Sequence, residues 1–302
     1  MALQGPTRFY WVDAFTTTPF TGNPAVVIPA ADHLSDQQMQ QLAREVNCSE
    51  TAFICQADRE EADLKLRWFT PTQEIDLCGH ATIAALHILA QEKRFNLLPG
   101  TSQILYLQTR SGLLPVTIDF KEEQTPWIWL TLPNCEFTRV EDQIVQQLIP
   151  VLGLPSADHR HPVVDSLNRD LLIQVDHLLQ LHELQPRFTE LAQLGKQQGW
   201  RGICAYTTDT LDPANLAHSR FFAPQSGIPE DPVTGSMSGP LVLFLSQDQS
   251  IAAAQTLTDP SLFILEQGDS LGRPGRVKVQ LLEGIPKLGG QAVTVLQGEL
   301  CQ

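Results

Sequence analysis

Two stretches of the chain follow one plan, and a chain built from two copies of a plan has few folds open to it. The first runs from Leu66 to Leu89, LRWFTPTQEIDLCGHATIAALHIL. It opens as a strand over Leu66–Phe69, crosses a polar turn, narrows to Cys78-Gly79-His80 and becomes an apolar helix over Ala81–Ala90. The second begins Arg220-Phe221-Phe222-Ala223-Pro224, matching Arg67-Trp68-Phe69-Thr70-Pro71. It continues through Glu230-Asp231-Pro232-Val233-Thr234 to Gly235-Ser236 and a second apolar run, Gly239–Leu245. The preceding segments correspond as well: a helix near 35–46 leads into a strand near 50–55, and a helix near 189–198 into a strand near 202–207. A period of about half the chain means two related halves and not a solenoid. A helix that is apolar all round is buried, and its first turn keeps unpaired N–H groups that attract an anion.

Between these landmarks the pattern is rich in short strands. Phe9–Ala14, Ala25–Ile28, Glu50–Cys55, Leu64–Phe69, Ile104–Thr109, Leu113–Asp119 and Trp127–Leu132 read as strands of the first half. Leu171–Val175, Gly202–Thr207, Phe263–Gln267 and Gly275–Leu282 read as strands of the second, and Gln291–Gly298 is a last strand. Ser35 with Gln38 three residues on is a capping box, and Met39, Leu42 and Val46 line one face of the helix it starts. Asp142–Leu152 and Phe188–Gln198 are further helices. Strands outnumber long helices about two to one, and many adjoin through short turns. That predicts an α+β fold with mainly antiparallel sheets, not a doubly wound parallel one.

Three places carry chemistry. Glu50, in Ser49-Glu50-Thr51-Ala52-Phe53, stands at the start of an apolar strand. Burial there would raise its pKa toward neutrality and suit it to proton transfer; the plainer alternative is a strand-edge Glu capped by Ser49 or Thr51. His80 opens the apolar helix, where the helix N-terminus would keep it neutral as a hydrogen-bond donor or proton carrier. Cys78 precedes it, with Glu74 and Asp76 close by; a thiol at a helix start is either lowered in pKa or buried and inert. In EDPVTGS, Thr234, Gly235 and Ser236 would offer hydroxyl and N–H donors at a second helix N-terminus to a carboxylate or phosphate, beside Asp231; the alternative is an N-cap with a proline turn. Other signals fail. His182-Glu183 is followed by Pro186, so HExxH is absent, and Gly235-Ser236-Met237-Ser238-Gly239 has Met at the centre of a would-be nucleophile elbow. No GxGxxG or P-loop occurs, and His159 and His161 sit in a loop expected to be solvated.

The net charge of −14 argues against nucleic acid or an anionic membrane as partner. No apolar run has membrane-spanning length, and the first residues lack the pattern of a signal peptide. Six scattered cysteines without a CxxC pair predict a reduced, cytoplasmic chain.

The pieces DAFTTTPFTGNPAVVI, SETAFI, RWFTP with EIDLCGHAT, RFFAP with EDPVTGSM, and EQGDSLGRPGRVKV occur in order over nearly the whole chain. In this the sequence resembles the PhzF family, phenazine-biosynthesis-like isomerases of the diaminopimelate epimerase fold. The resemblance implies two pseudo-symmetric domains, 1–124 plus 290–302 and 125–289, each a curved, mainly antiparallel sheet around a central helix, with the active site in the cleft between them. It implies a homodimer working without metal or cofactor on a small, carboxylate-bearing, amino-acid-like substrate. Glu50 would be the general acid/base, and His80 and Asp231 would polarise or relay protons. Gly79, Gly235 and Ser236 would bind the carboxylate.

Related epimerases of this fold use two cysteines. Cys78 stands where the first would be, but by the repeat Thr234 occupies the second position, and an alcohol is too weak an acid to replace a thiol. The Glu50-based isomerase is therefore preferred. A cysteine-dependent racemase or epimerase using Cys78, and a metabolite-binding protein without catalysis, stay open as alternatives.

Overall fold

The computed structural model describes residues 7–121, 125–155, 161–247, 259 and 261–300, so His159 lies outside the described residues. In chain order the first half gives β1 (Thr7–Ala14), β2 (Asn23–Ile28), α1 (Asp36–Val46), β3 (Thr51–Cys55), β4 (Leu64–Phe69), β5 (Glu74–Ile75), α2 (Gly79–Gln91), β6 (Thr101–Thr109), β7 (Gly112–Phe120) and β8 (Trp127–Thr131). The second gives β9 (Phe137–Arg139), α3 (Asp142–Leu152), β10 (Val163–Asp165), β11 (Asp170–Gln174), α4 (Leu178–Glu183), α5 (Phe188–Gln198) and β12 (Gly202–Thr207). It goes on with β13 (Ala217–Ala223), β14 (Ile228–Asp231), α6 (Gly235–Ser246), β15 (Leu262–Gln267), β16 (Gly275–Leu282) and β17 (Ile285–Gly290), and β18 (Ala292–Leu300) ends the described chain.

The chain divides into two compact units, Met1–Thr131 with Gly289–Gln302, and Leu132–Leu288. The first unit keeps Trp127–Thr131, which the sequence boundary at 124 leaves out, because β8 pairs antiparallel with β7. Its strands run β18-β1-β2-β3-β4-β6-β7-β8. Only the β2–β3 and β4–β6 pairs are parallel. In the second unit the order is β9-β10-β11-β12-β13-β15-β16, with β11–β12 and β13–β15 parallel and the other neighbours antiparallel. Strand for strand, the sense of pairing from β18 to β7 repeats from β9 to β16. The duplication in sequence is thus a duplication of topology, with the C-terminal strand β18 taking in the first unit the place that β9 takes in the second.

The repeat extends to side chains. Arg67 donates from Nε and Nη2 to the two oxygens of Glu74 at 2.7 and 2.9 Å, and Arg220 does the same to Glu230 at 2.8 and 2.8 Å. Each guanidinium also lies over the ring two residues on, Phe69 at 5.1 Å and Phe222 at 5.0 Å. Each fork ties a strand to the short strand that returns beside it, β4 to β5 and β13 to β14, and so fixes the chain that enters the following helix.

Ten of the thirteen residues of α2 are buried, with Ile83, Leu86, Ile88 and Leu89 fully so. It packs against β1, β2, β3, β8 and β18, which is the sheet-around-helix arrangement expected. Gly290 lies so near it that a Cβ there would stand 2.8 Å from Ile83 Cδ1. The amphipathic α1 starts as read, with Ser35 and Gln38 in a complete capping box. Both apolar helices begin earlier than their apolar runs: α2 at Gly79, not Ala81, and α6 at Gly235, not Gly239. His80 and Gly235-Ser236, read as standing at the mouths of these helices, lie in their first turns.

Candidate active site

The loop before β3 and the start of α2 bring Glu50, Cys78 and His80 together. Glu50 is 8% exposed and His80 7%, so this is a polar cluster inside the first unit. His80 Nε2 stands 3.2 Å from Glu50 Oε2, and its Nδ1 stands 3.5 Å from Cys78 Sγ. Asn23, from β2, brings its side-chain nitrogen 3.5 Å from the same Nδ1. The imidazole is thus flanked by a carboxylate on one nitrogen and a thiol on the other. Glu50 faces a histidine and is no strand-edge residue turned to solvent.

This arrangement reverses one expectation. Burial works against a charged His80, but Cys78 and Glu50 outweigh it and hold the imidazole well above its ordinary pKa. The helix N-terminus alone would keep His80 neutral; a carboxylate at ion-pair distance in a buried site is the stronger influence. Burial pushes the Cys78 thiol up, though His80 opposes it, and nearby Cys48 is pushed up to about 11 by burial. Cys78 is the N-cap of α2, yet its side chain makes no capping bond, and its carbonyl accepts from the Thr82 hydroxyl at 2.6 Å.

Glu74 and Asp76 do not join this cluster. Glu74 is forked by Arg67, and Asp76 pairs with Arg110 at 3.2 Å. Glu50, Cys78 and His80 each bring one ligand atom within 4.8 Å of the others, which could hold a metal ion.

The second unit assembles the other predicted residues at the start of α6. Asp231 ends β14, and Thr234 is the N-cap and donates its hydroxyl to the Asp231 carboxylate. Gly235 and Ser236 open the helix. Sequence reasoning missed what fixes them. Gln267, almost fully buried, accepts from Thr234 N at 2.9 Å and donates to Asp231 O at 2.9 Å and Thr234 Oγ1 at 3.1 Å. Next to it Gly268 has φ +91°, and a Cβ there would stand 2.7 Å from Pro232 O. The EQGDS motif therefore serves as a clamp on the DPVT segment, and the signal for it lay in the motif itself. Pro240 removes the N–H that would bond Ser236 O four residues back, and Asn168 Nδ2 replaces it at 3.0 Å. His161 is exposed in its loop, as expected.

The phenazine biosynthesis-like protein model, PhzC-PhzF, matches residues 12–298. The chain belongs to this family. An uncharacterized isomerase of Clostridium acetobutylicum is 36% identical over 303 residues, covering 97% of each chain. The crystal structure of a PhzF-family phenazine biosynthesis protein of Bacillus anthracis superposes with TM-score 0.83 at 27% identity, covering 99% of this chain and 100% of that one. A hydroxyproline epimerase of Agrobacterium vitis, solved with trans-4-hydroxy-L-proline, reaches TM-score 0.63 at 12% identity over 99% and 94%. At that identity the likeness concerns the fold, and the fold is the epimerase-like one. Members of the family related to this chain carry the name isomerase.

Proposed function

We propose that this chain is an isomerase that moves a proton on a small, carboxylate-bearing, amino-acid-like substrate, with Glu50 as the acid/base. The observation that carries the reading is the buried Glu50–His80 pair at 3.2 Å, at the start of a buried helix. A carboxylate there can accept a proton from carbon and return it elsewhere, while the charged imidazole stabilises the negative charge that develops. Gly79, in the first turn of α2, would give an N–H to the substrate carboxylate. That Asp231, Gly235 and Ser236 act on the same substrate rests on the repeat and the resemblance. The resemblance also supports a homodimer in the cytoplasm. We take the reaction to need neither metal nor cofactor, because the side chains themselves can carry the proton; exchange should survive dialysis against a chelator.

Incubation with cyclic and open-chain amino acids and their unsaturated analogues in heavy water tests the reading. The native protein should place deuterium on carbon, and Glu50→Gln should abolish this. Full exchange by Glu50→Gln would remove Glu50 as the base.

A second reading has an observation of its own in Cys78, whose sulfur lies 3.5 Å from His80 Nδ1. A thiol beside an imidazole is the arrangement of an activated base, and it would serve a racemase or epimerase. It requires that Cys78→Ser be inactive. An undiminished Cys78→Ser protein leaves the Glu50 reading alone.

A further inference from the structure

Arg201 has no counterpart in the sequence motifs, yet it ends on the hydroxyl of Ser236. Its Nε donates to Asp170 Oδ1 at 2.9 Å and its Nη2 to Asp170 Oδ2, a two-point fork on a carboxylate that is fully buried. Its Nη1 donates to Ser236 Oγ at 2.9 Å. The guanidinium stacks over Phe221 at 5.5 Å, and Phe221 pairs across the sheet with Asp231. Phe221 in turn fills the space above Gly202, where a Cβ would stand 2.1 Å from the ring. Asp170 is held by a turn of its own: Asp165 accepts from the N–H groups of Asn168 at 2.6 Å and Asp170 at 2.9 Å, and the same Asn168 takes the Ser236 carbonyl.

Each link has a consequence for Ser236. A hydroxyl has one hydrogen to give. Because Arg201 donates to its oxygen, that hydrogen is directed away from Arg201. Arg201 keeps a side-chain exposure of 38%, so its charge reaches beyond the buried Asp170. Arg201 also sets a positive charge among Asp165, Asp170 and Asp231, whose like charge an arriving anion would otherwise meet.

Resting on the proposed function, and deepening it, we propose that Arg201 is the positioning residue of carboxylate recognition in the second unit: it turns Ser236 into an outward hydrogen-bond donor and supplies the positive charge that admits an anion. The role is more than neutralising Asp170, since a neutraliser has no need to hold Ser236.

Sodium acetate serves as the probe, with acetamide as its uncharged counterpart, at constant ionic strength. The full chain is followed by the backbone amide resonances of Gly235 and Ser236. Acetate should shift both in a saturable way, and acetamide should not. In Arg201→Gln the acetate affinity should fall about ten-fold, the cost expected for losing a charge-assisted donor, and the preference over acetamide should collapse. Arg201→Lys keeps the charge without the fork and should lose about three-fold. Native acetate affinity in Arg201→Gln overturns the inference while leaving the proposed function in place. A native protein whose Gly235 and Ser236 ignore acetate removes the carboxylate site from the proposed function, and this inference with it. Should Arg201→Gln fail to fold, Arg201→Lys decides, and unchanged affinity there is contrary to the inference.

Discussion

His80 and His87 sit on one helix two turns apart and respond to pH in opposite ways. His80 is held above its ordinary pKa, so its contribution to stability is complete below about pH 6.5 and is lost as pH rises through the folded value. His87 is lowered to about 4 by burial, with Thr294 as its partner at 3.2 Å. The unfolded chain therefore binds that proton first, and stability should fall as pH drops from about 6.5 toward 4, by about 1–3 kcal/mol. Denaturant melts of His87→Gln should lose most of that acid slope; an unchanged slope would assign it to other groups. Imidazole NMR should find His80 titrating above an ordinary imidazole in the native protein, and lower in Glu50→Gln than in the native protein. An unchanged His80 titration in that variant would mean that Glu50 does not influence the ring. The sequence singled out Glu50 and His80 as candidates, because each stands in a motif; His87 stood in none. It could not tell that His80 is held above its ordinary pKa, because Glu50, which shares that effect with Cys78, lies some thirty residues away in the chain. Nor could it tell that Glu74 and Asp76 are committed to arginines.

Among the elements, α2 carries the first site and has almost no polar face, so its register depends on packing. Leu86→Ala should cost about 2–5 kcal/mol, the range for a fully buried leucine, measured by urea unfolding. The twin forks give a sharper comparison. Arg220 and Glu230 are 8% and 9% exposed, and Arg220 also donates to the carbonyls of Leu181, His182 and Leu184. Arg67 is shared between Glu74 and the exposed Asp36. Arg220→Ala should therefore cost about 3–5 kcal/mol, as for breaking a buried pair, and clearly more than Arg67→Ala. Equal losses would mean that the three carbonyls add nothing. The start of α1 was legible because a capping box announces it. At α6 the helix mouth at Thr234–Ser236 was legible but the apolar run was started at Gly239, because Gly235-Ser236-Met237-Ser238-Gly239-Pro240 has the composition of a loop, and only Asn168, distant in sequence, makes Pro240 tolerable there. The short strand β5 is likewise invisible locally, since its pairing with β4 creates it.

For the molecule as a whole, the duplication is the organising fact, and it was the most legible one. Matching strings of five residues led to matching strand orders and matching side-chain forks. The strand β18 breaks the simple halving, because it pairs along all of β1. A chain truncated before Ala292 should lose amide protection in β1 and β2 while β12 and β13 keep theirs, read by hydrogen exchange. Uniform loss would mean that the two units do not respond separately. Among the described residues no helix is long and apolar enough to cross a membrane, in keeping with the absence of such a run in the sequence.

In the proposed mechanism Glu50, positioned by His80, moves the proton, with Cys78 as a neighbour. Deuterium incorporation from heavy water, compared side by side in the native protein, Glu50→Gln and Cys78→Ser, tests it most directly. Exchange should appear in the native protein and in Cys78→Ser, and be absent in Glu50→Gln. Exchange that persists in Glu50→Gln and vanishes in Cys78→Ser would contradict it.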